Sequence, residues 1–123
     1  DNAFKCVYET EFLGKEDLEH ILSMCYDENA NSEEEKEYIE NTLKGVIENL
    51  DEIDKIILSK LKNWSISRIA KIDLAILRLA IYEIKYVDSI PEKVSINEAV
   101  ELAKMYGNND SKSFVNGVLA KVI

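Results

Sequence analysis

Apolar residues recur along this chain at intervals of three and four, which is the spacing of one face of an α-helix. No stretch alternates between apolar and polar residues as a half-buried strand would. We therefore predict an all-α fold. The segments that carry the helical spacing are 3–12, 17–25, 32–50, 51–61, 67–87, 95–106 and 110–122.

The signals that begin and end helices are clearest near the C-terminus. Ser95 and Glu98 have the spacing of a capping box, which predicts that the sixth helix begins there. Gly107 and Asn108 suit a left-handed exit from that helix. Asp110 or Ser111 can then cap the last helix with a side-chain oxygen.

The segment Ser67–Val87 differs from the others because it has hardly any polar face. A helix that is apolar all round is surrounded by its neighbours. We therefore predict a compact bundle of about seven helices, in two subdomains around this central helix. Asp73 and Arg78 interrupt the helix and need partners if they are buried. Two interpretations stay open: each joins an internal salt bridge or reaches the rim, or one end of the helix emerges at a recognition surface.

The length of 123 residues fits a single domain that can bury a core. The formal net charge is −9, but it is unevenly placed. Residues 1–60 hold 6 Lys and 17 Asp or Glu, a net of −11, whereas residues 61–123 hold 9 Lys or Arg and 7 Asp or Glu, a net of +2. An acidic chain is unsuited to nonspecific binding of nucleic acid. The mildly basic C-terminal half leaves room for a local nucleic-acid surface.

Patterns typical of catalytic and metal sites are missing from the sequence. His20 is the single histidine, and neither a phosphate-binding glycine loop nor a zinc motif occurs. Cys6 and Cys25 each lie in an apolar helical stripe, which favours buried thiols in a reducing cytoplasm. No apolar run approaches membrane-spanning length. We therefore predict a cytoplasmic protein that is not an enzyme and needs no cofactor or metal.

An ordered series of short motifs fills the last third of the chain. It comprises Ile90-Pro91, Val94, Ile96-Asn97-Glu98-Ala99, Glu101-Leu102-Ala103-Lys104, Tyr106-Gly107, Ser111 and Phe114-Val115-Asn116-Gly117-Val118-Leu119. This series resembles the C-terminal half of the NusB family, bacterial transcription antitermination factors. Asp73 to Ala80 with Tyr82-Glu83 looks like the central helix of that family, and Ala3-Phe4-Lys5 with Val7-Tyr8 looks like its first helix. The resemblance is dense from about Ile72 onward and sparse between Phe12 and Lys62.

The resemblance implies a specific function. Members of the family bind a short single-stranded boxA RNA together with NusE, a ribosomal small-subunit protein, and the complex joins transcribing RNA polymerase in ribosomal RNA operons. The matching positions imply that Tyr8, Tyr106 and Phe114 offer ring faces to bases, that Asp73 and Asp110 accept hydrogen bonds from base amino groups, and that Lys5, Arg78 and Ser111 contact the RNA backbone. For Tyr8 and Phe114 a place in the core is the alternative.

Two other functions remain open at this point. One is an RNA-binding appendage of a ribosomal RNA methyltransferase, and the other is a purely protein-binding helical adaptor. The family also opens with an arginine-rich segment before its first helix, whereas this sequence begins at Asp1-Asn2. We therefore expect the single NusB-like domain, residues 1–123, to lack that N-terminal basic segment and the phosphate contacts it would supply.

Overall fold

The computed structural model describes Phe4, Lys5, Val7, Tyr8 and residues 33–123. Its helices are α1 (Glu33–Glu48), α2 (Leu50–Ser59), α3 (Lys71–Tyr86), α4 (Glu92–Tyr106) and α5 (Ser111–Val122), with a 3₁₀ turn at Ile66–Arg68. Phe4, Lys5, Val7 and Tyr8 are helical as well, and no strand occurs among the described residues. The all-α prediction is confirmed, with five α-helices in this part of the chain against about seven predicted for the whole. The helix predicted at 17–25 lies outside the described residues, as do Cys6, His20 and Cys25.

α3 is the central helix, as the sequence predicts. Its residues from Asp73 to Ile81 are buried without interruption. It packs against α1, α2, α4 and α5, so every side of it meets another helix. Leu77 lies near its midpoint and is fully buried. The predicted division into two subdomains stays a prediction.

The start of α3 differs from the predicted one. The helix begins at Lys71 and not at Ser67, because the chain first makes the 3₁₀ turn Ile66–Arg68 and then passes through extended backbone at Ile69. Extended backbone directs the Ile69 side chain into the core, where it is buried. The apolar pattern therefore continues through this segment although the helix does not.

α1 and α2 cover α3 with narrow apolar stripes. The buried apolar residues of these stripes are Ile39, Leu43, Val46, Ile53 and Ile57. Tyr38 lies at the edge of the α1 stripe and is about half exposed. Three glutamates occupy the first turn of α1, where the positive end of the helix dipole favours them. Within the described part of the chain, no helix has the length and apolar character to cross a membrane.

The predicted capping box is wrong. α4 begins at Glu92, directly after Pro91, so Ser95 lies inside the helix and is buried. Pro91 can precede the first turn because the fixed φ of proline suits a helix start and its missing N–H would have no partner there. The Ser95 backbone N–H donates to the Pro91 carbonyl at 3.2 Å, as an interior helical residue does.

The turn between α4 and α5 is also built differently from the predicted one. Gly107 has extended backbone (φ −88°, ψ −176°) and not the left-handed conformation. It is required for close packing, since a Cβ there would meet the Ser111 side chain and lie 2.7 Å from the Ala103 carbonyl oxygen. Asp110 occupies the N-cap position of α5, but its side chain makes no cap hydrogen bond. Asn108 organises the turn instead, because its Oδ1 accepts from the Asp110 N–H at 2.9 Å and from the Ser111 hydroxyl at 3.3 Å.

Candidate nucleic-acid interface

Three aromatic rings join the N-terminal helical residues to the end of α4. The Phe4 ring stacks on Tyr8 at 6.0 Å between centroids and on Tyr106 at 5.4 Å. Phe4 is buried and Tyr8 half-buried, whereas Tyr106 keeps 42% of its surface exposed. Tyr106 therefore rests one face on the core and presents the rest of its ring to solvent. Lys5, next to Phe4, is exposed.

The start of α5 places the other predicted residues close to Tyr106. Only the turn from Gly107 to Asp110 separates the two helices, so Asp110, which is exposed, lies at the same end of the pair as Tyr106. Phe114 follows Asp110 by about one helical turn and is half-buried. Ser111 is fully buried, and its Oγ accepts from the Asn108 N–H at 3.0 Å. The Ser111 hydroxyl is thus occupied within the protein and is not placed to contact an RNA backbone.

Asp73, in the first turn of α3, is a buried carboxylate with an unused acceptor. The residue is 6% exposed, and its Oδ1 has no hydrogen-bond partner among the described residues. Buried polar atoms are nearly always paired. The positive end of the α3 dipole favours a negative charge at this position. Because that oxygen is buried, an RNA base does not reach it in this structure, and Asp73 does not share the accessible surface of Tyr106 and Asp110.

Arg78 adopts the internal salt bridge that the sequence left open. Its Nε donates to Asp54 Oδ1 and its terminal nitrogen to Asp54 Oδ2, both at 2.9 Å. The pair is largely buried and joins α3 to α2. The guanidinium is directed at Asp54, so the expected contact between Arg78 and an RNA backbone does not fit this geometry. The predicted residues that share an accessible surface are therefore Tyr106, Asp110 and the exposed part of Phe114.

Comparison with known proteins identifies the family. A model described as the NusB family matches residues 1–123. The chain belongs to the NusB family. The transcription antitermination protein NusB of Agathobacter rectalis is 50% identical over 122 residues, which cover 98% of this chain and 93% of that protein. The protein of the same name from Listeria monocytogenes serotype 4a is 47% identical over 122 residues, covering 99% of this chain and 91% of that protein.

Solved structures of NusB proteins share the fold. T. maritima NusB superposes with a TM-score of 0.90 at 40% identity, over 98% of this chain and 84% of that one. A structure of the antitermination factors NusB and NusE in complex with dsRNA gives a TM-score of 0.88 at 26% identity, over 99% of this chain and 90% of that one. The resemblance inferred from the sequence motifs is confirmed.

This NusB-family chain also presents an aromatic residue that the sequence motifs missed. Trp64, in the segment between α2 and α3, keeps 40% of its surface exposed. The centroid of the Trp64 ring lies 5.5 Å from that of Phe114 and 5.4 Å from the guanidinium carbon of Arg68. The signal was present in the sequence, since Trp64 is the single tryptophan and stands in a run rich in Lys and Arg.

A separate acidic cluster lies further along α3, about ten residues or 15 Å from Asp73. Burial raises the pKa of Glu83, and the Glu98 carboxylate raises it further. Burial also raises the pKa of the half-exposed Tyr38, with Glu83 the next cause. Glu83, Ser95 and Glu98 line a narrow cleft between α3 and α4. A buried carboxyl group with a raised pKa makes the stability of the fold depend on pH.

Proposed function

We propose that this chain is a noncatalytic RNA-binding transcription antitermination factor, which binds boxA single-stranded RNA together with NusE and acts with transcribing RNA polymerase in ribosomal RNA operons. Membership of the NusB family over the whole chain supports this function. So does the likeness to a complex of NusB and NusE with RNA. The observation that carries the proposal is the exposed Tyr106 ring, held on Phe4 beside the exposed Asp110.

The chemistry of these groups suits single-stranded RNA. Unpaired bases stack on aromatic side chains, each such contact contributing about 1–3 kcal/mol. Tyr106 supplies a ring whose orientation Phe4 fixes, so little conformational entropy is lost when a base stacks on it. The exposed Asp110 carboxylate can accept from the amino groups of bases. The exposed Lys5 ammonium can contact a phosphate.

NusE is the proposed protein partner. A basic partner would offset the net charge of −9 and let two surfaces share one RNA. We infer that the chain acts in the cytoplasm as one domain spanning residues 1–123. The relatives that it matches over 93% and 91% of their own length carry the name of the antitermination protein, which favours this function over a methyltransferase appendage or an adaptor.

The test measures binding of labelled boxA RNA by fluorescence anisotropy, with and without NusE. Tyr106→Leu keeps an apolar cover over Phe4 but removes the ring, so RNA affinity should fall by about 1–3 kcal/mol. Tyr106→Phe should bind like the parent. Tyr86→Leu is the matched control, since Tyr86 is equally exposed and stacks on Tyr82 at 5.8 Å, at the opposite end of α3 from Asp73.

Two results would count against the proposal. One is unchanged RNA binding in Tyr106→Leu, which would remove the base-stacking surface from the end of α4. The other is equal RNA affinity with and without NusE at one salt concentration, which would exclude a shared RNA. NusE binding should survive Tyr106→Leu, and its measurement separates loss of the RNA surface from loss of the fold.

A further inference from the structure

The segment between α2 and α3 carries a local positive charge in an otherwise acidic chain. From Lys60 to Ile72 the sequence contains Lys60, Lys62, Arg68 and Lys71 and no Asp or Glu. α5 adds to it, because the Lys121 ammonium donates to the Lys60 carbonyl at 3.5 Å. Salt screens charges beyond about 8 Å, so the charges nearest to a bound anion affect it more than the net charge of the whole chain does.

Trp64 forms an ordered aromatic platform within this basic segment. The Phe114 ring supports the indole at 5.5 Å, with the two planes at 39°. The Arg68 guanidinium lies over the indole at 5.4 Å and also donates to the Asn63 carbonyl at 3.1 Å. Asn63 takes the left-handed conformation (φ 58°), which asparagine tolerates better than most residues. These contacts fix the ring while leaving 40% of Trp64 exposed.

An exposed tryptophan beneath an arginine matches the chemistry of single-stranded RNA. Bases stack on tryptophan rings and on guanidinium planes, and cations beside them meet the phosphates. An acidic peptide would pair with the cations but would leave the exposed indole surface without a stacking partner. The platform also continues the surface formed by Tyr106 and Asp110, because Phe114 lies one helical turn beyond Asp110 and touches Trp64.

We propose that Trp64 and Arg68 form a second base-stacking site, which takes an unpaired base of the RNA strand that passes Tyr106 and Asp110, with Lys62 beside it for a phosphate. This inference rests on the proposed RNA-binding function and extends the RNA path beyond the positions matched to the family motifs. The ligand is single-stranded RNA, whose bases are free to stack, and not a duplex.

The single tryptophan makes the experiment direct. The full chain is titrated with labelled boxA RNA, with and without NusE, while anisotropy reports binding and indole emission reports the surroundings of Trp64. A base stacked on the indole should quench that emission in step with the rise in anisotropy. In the NusE arm, the same titration with Trp64→Phe supplies the background emission to subtract.

Variants give an independent readout. Trp64→Leu should weaken RNA binding by roughly 5- to 150-fold, the loss expected for one stacked base. Arg68→Gln should weaken it too. Lys62→Gln should reduce the slope of log affinity against log salt by about 0.7, the value of one phosphate contact on a single strand. Lys85→Gln removes the same charge at the far end of α3, about 21 Å from Lys71, and should leave the affinity near that of the parent.

The outcomes separate the two proposals. Bound RNA by anisotropy with unchanged indole emission, together with parental affinity in Trp64→Leu and Arg68→Gln, would overturn the second site and leave the proposed function standing. No anisotropy change for the parent, with or without NusE, would overturn the proposed function itself. If Trp64→Leu fails to fold, the RNA affinity of Arg68→Gln and the indole emission of the parent still test the second site, because both proteins keep Trp64.

Discussion

The ion pair between Arg78 and Asp54 allows a quantitative test of how α2 is held against α3. Two parallel hydrogen bonds of 2.9 Å join the guanidinium to the carboxylate. The two side chains keep 11% and 21% of their surface exposed. Removing one partner of a buried pair typically costs about 3–5 kcal/mol, because the other charge stays buried without compensation. Since water reaches both groups in part, we expect the lower end, about 3 kcal/mol, for Arg78→Met and for Asp54→Leu.

The double variant separates the pair from its parts. Apolar side chains of similar volume in place of both charges often leave stability unchanged or raise it. The free energy of unfolding of Asp54→Leu/Arg78→Met should therefore lie within about 1 kcal/mol of the parent, far from the sum of the two single losses. Urea denaturation followed by circular dichroism measures all four proteins. Single losses below about 1 kcal/mol, or a double variant as unstable as that sum, would refute this account.

The same variants test whether Arg78 touches RNA. Its guanidinium is engaged with Asp54, so the folded double variant should bind boxA RNA like the parent. A clear loss of RNA affinity in a double variant of normal stability would restore the RNA-contact role that the family resemblance implies for Arg78.

Three further predictions concern the bundle. Leu77→Ala should lower the free energy of unfolding by about 2–5 kcal/mol in urea titrations, and a loss under about 1 kcal/mol would contradict the central position of α3. Gly45→Ala should cost about 1–3 kcal/mol in the same assay, because the new Cβ would overlap the Tyr82 ring; Tyr82→Leu should relieve the loss. Burial raises the pKa of Glu83 above its ordinary 4.5 in the folded state, so folding holds that proton more tightly and stability should fall as pH rises above 4.5. In Glu83→Gln, the free energy of unfolding measured between about pH 4 and 7 should no longer show this decrease. An unchanged dependence of that free energy on pH would exclude Glu83 as its cause.

The spacing of apolar residues predicted the helices well, because the residues that a helix buries are the ones that must be apolar. The apolar run of α3 identified the central helix, since few positions in it tolerate a polar residue. Its start could not be read the same way. Ile69 is apolar and buried in extended backbone just as it would be in a helix, and only the turn Ile66–Arg68 distinguishes the two.

Local capping signals failed where tertiary packing imposed other requirements. Ser95 has a capping spacing, yet Pro91 begins the helix earlier and Ser95 is drawn into the cleft with Glu83. The sequence predicts a left-handed exit at Gly107, whereas in the structure the close approach of Ser111 and Ala103 excludes a side chain there. Both cases involve contacts between residues of different turns or helices, which a local motif does not contain.

The sequence identifies candidate RNA-binding residues only where a suitable side chain lies at a helix end, which is exposed. Tyr106 and Asp110 end a helix and begin the next, so the sequence could place both at an accessible turn. Arg78 could not be assigned, because its partner Asp54 lies 24 residues away on another helix. Trp64 was missed since its support comes from Phe114, fifty residues further along the chain.

An acidic protein can bind RNA if its positive charges are clustered, and here the basic residues are clustered although the net charge is negative. The net charge is −9, and the first turn of α1 alone carries three glutamates. Screening over about 8 Å confines each charge to its own neighbourhood. The basic segment around Trp64 therefore offers an RNA a local field that the net charge conceals. If bases stack on Tyr106 and Trp64 as proposed, only the phosphate contacts should make the affinity depend on salt, each adding about 0.7 to the slope of log affinity against log salt.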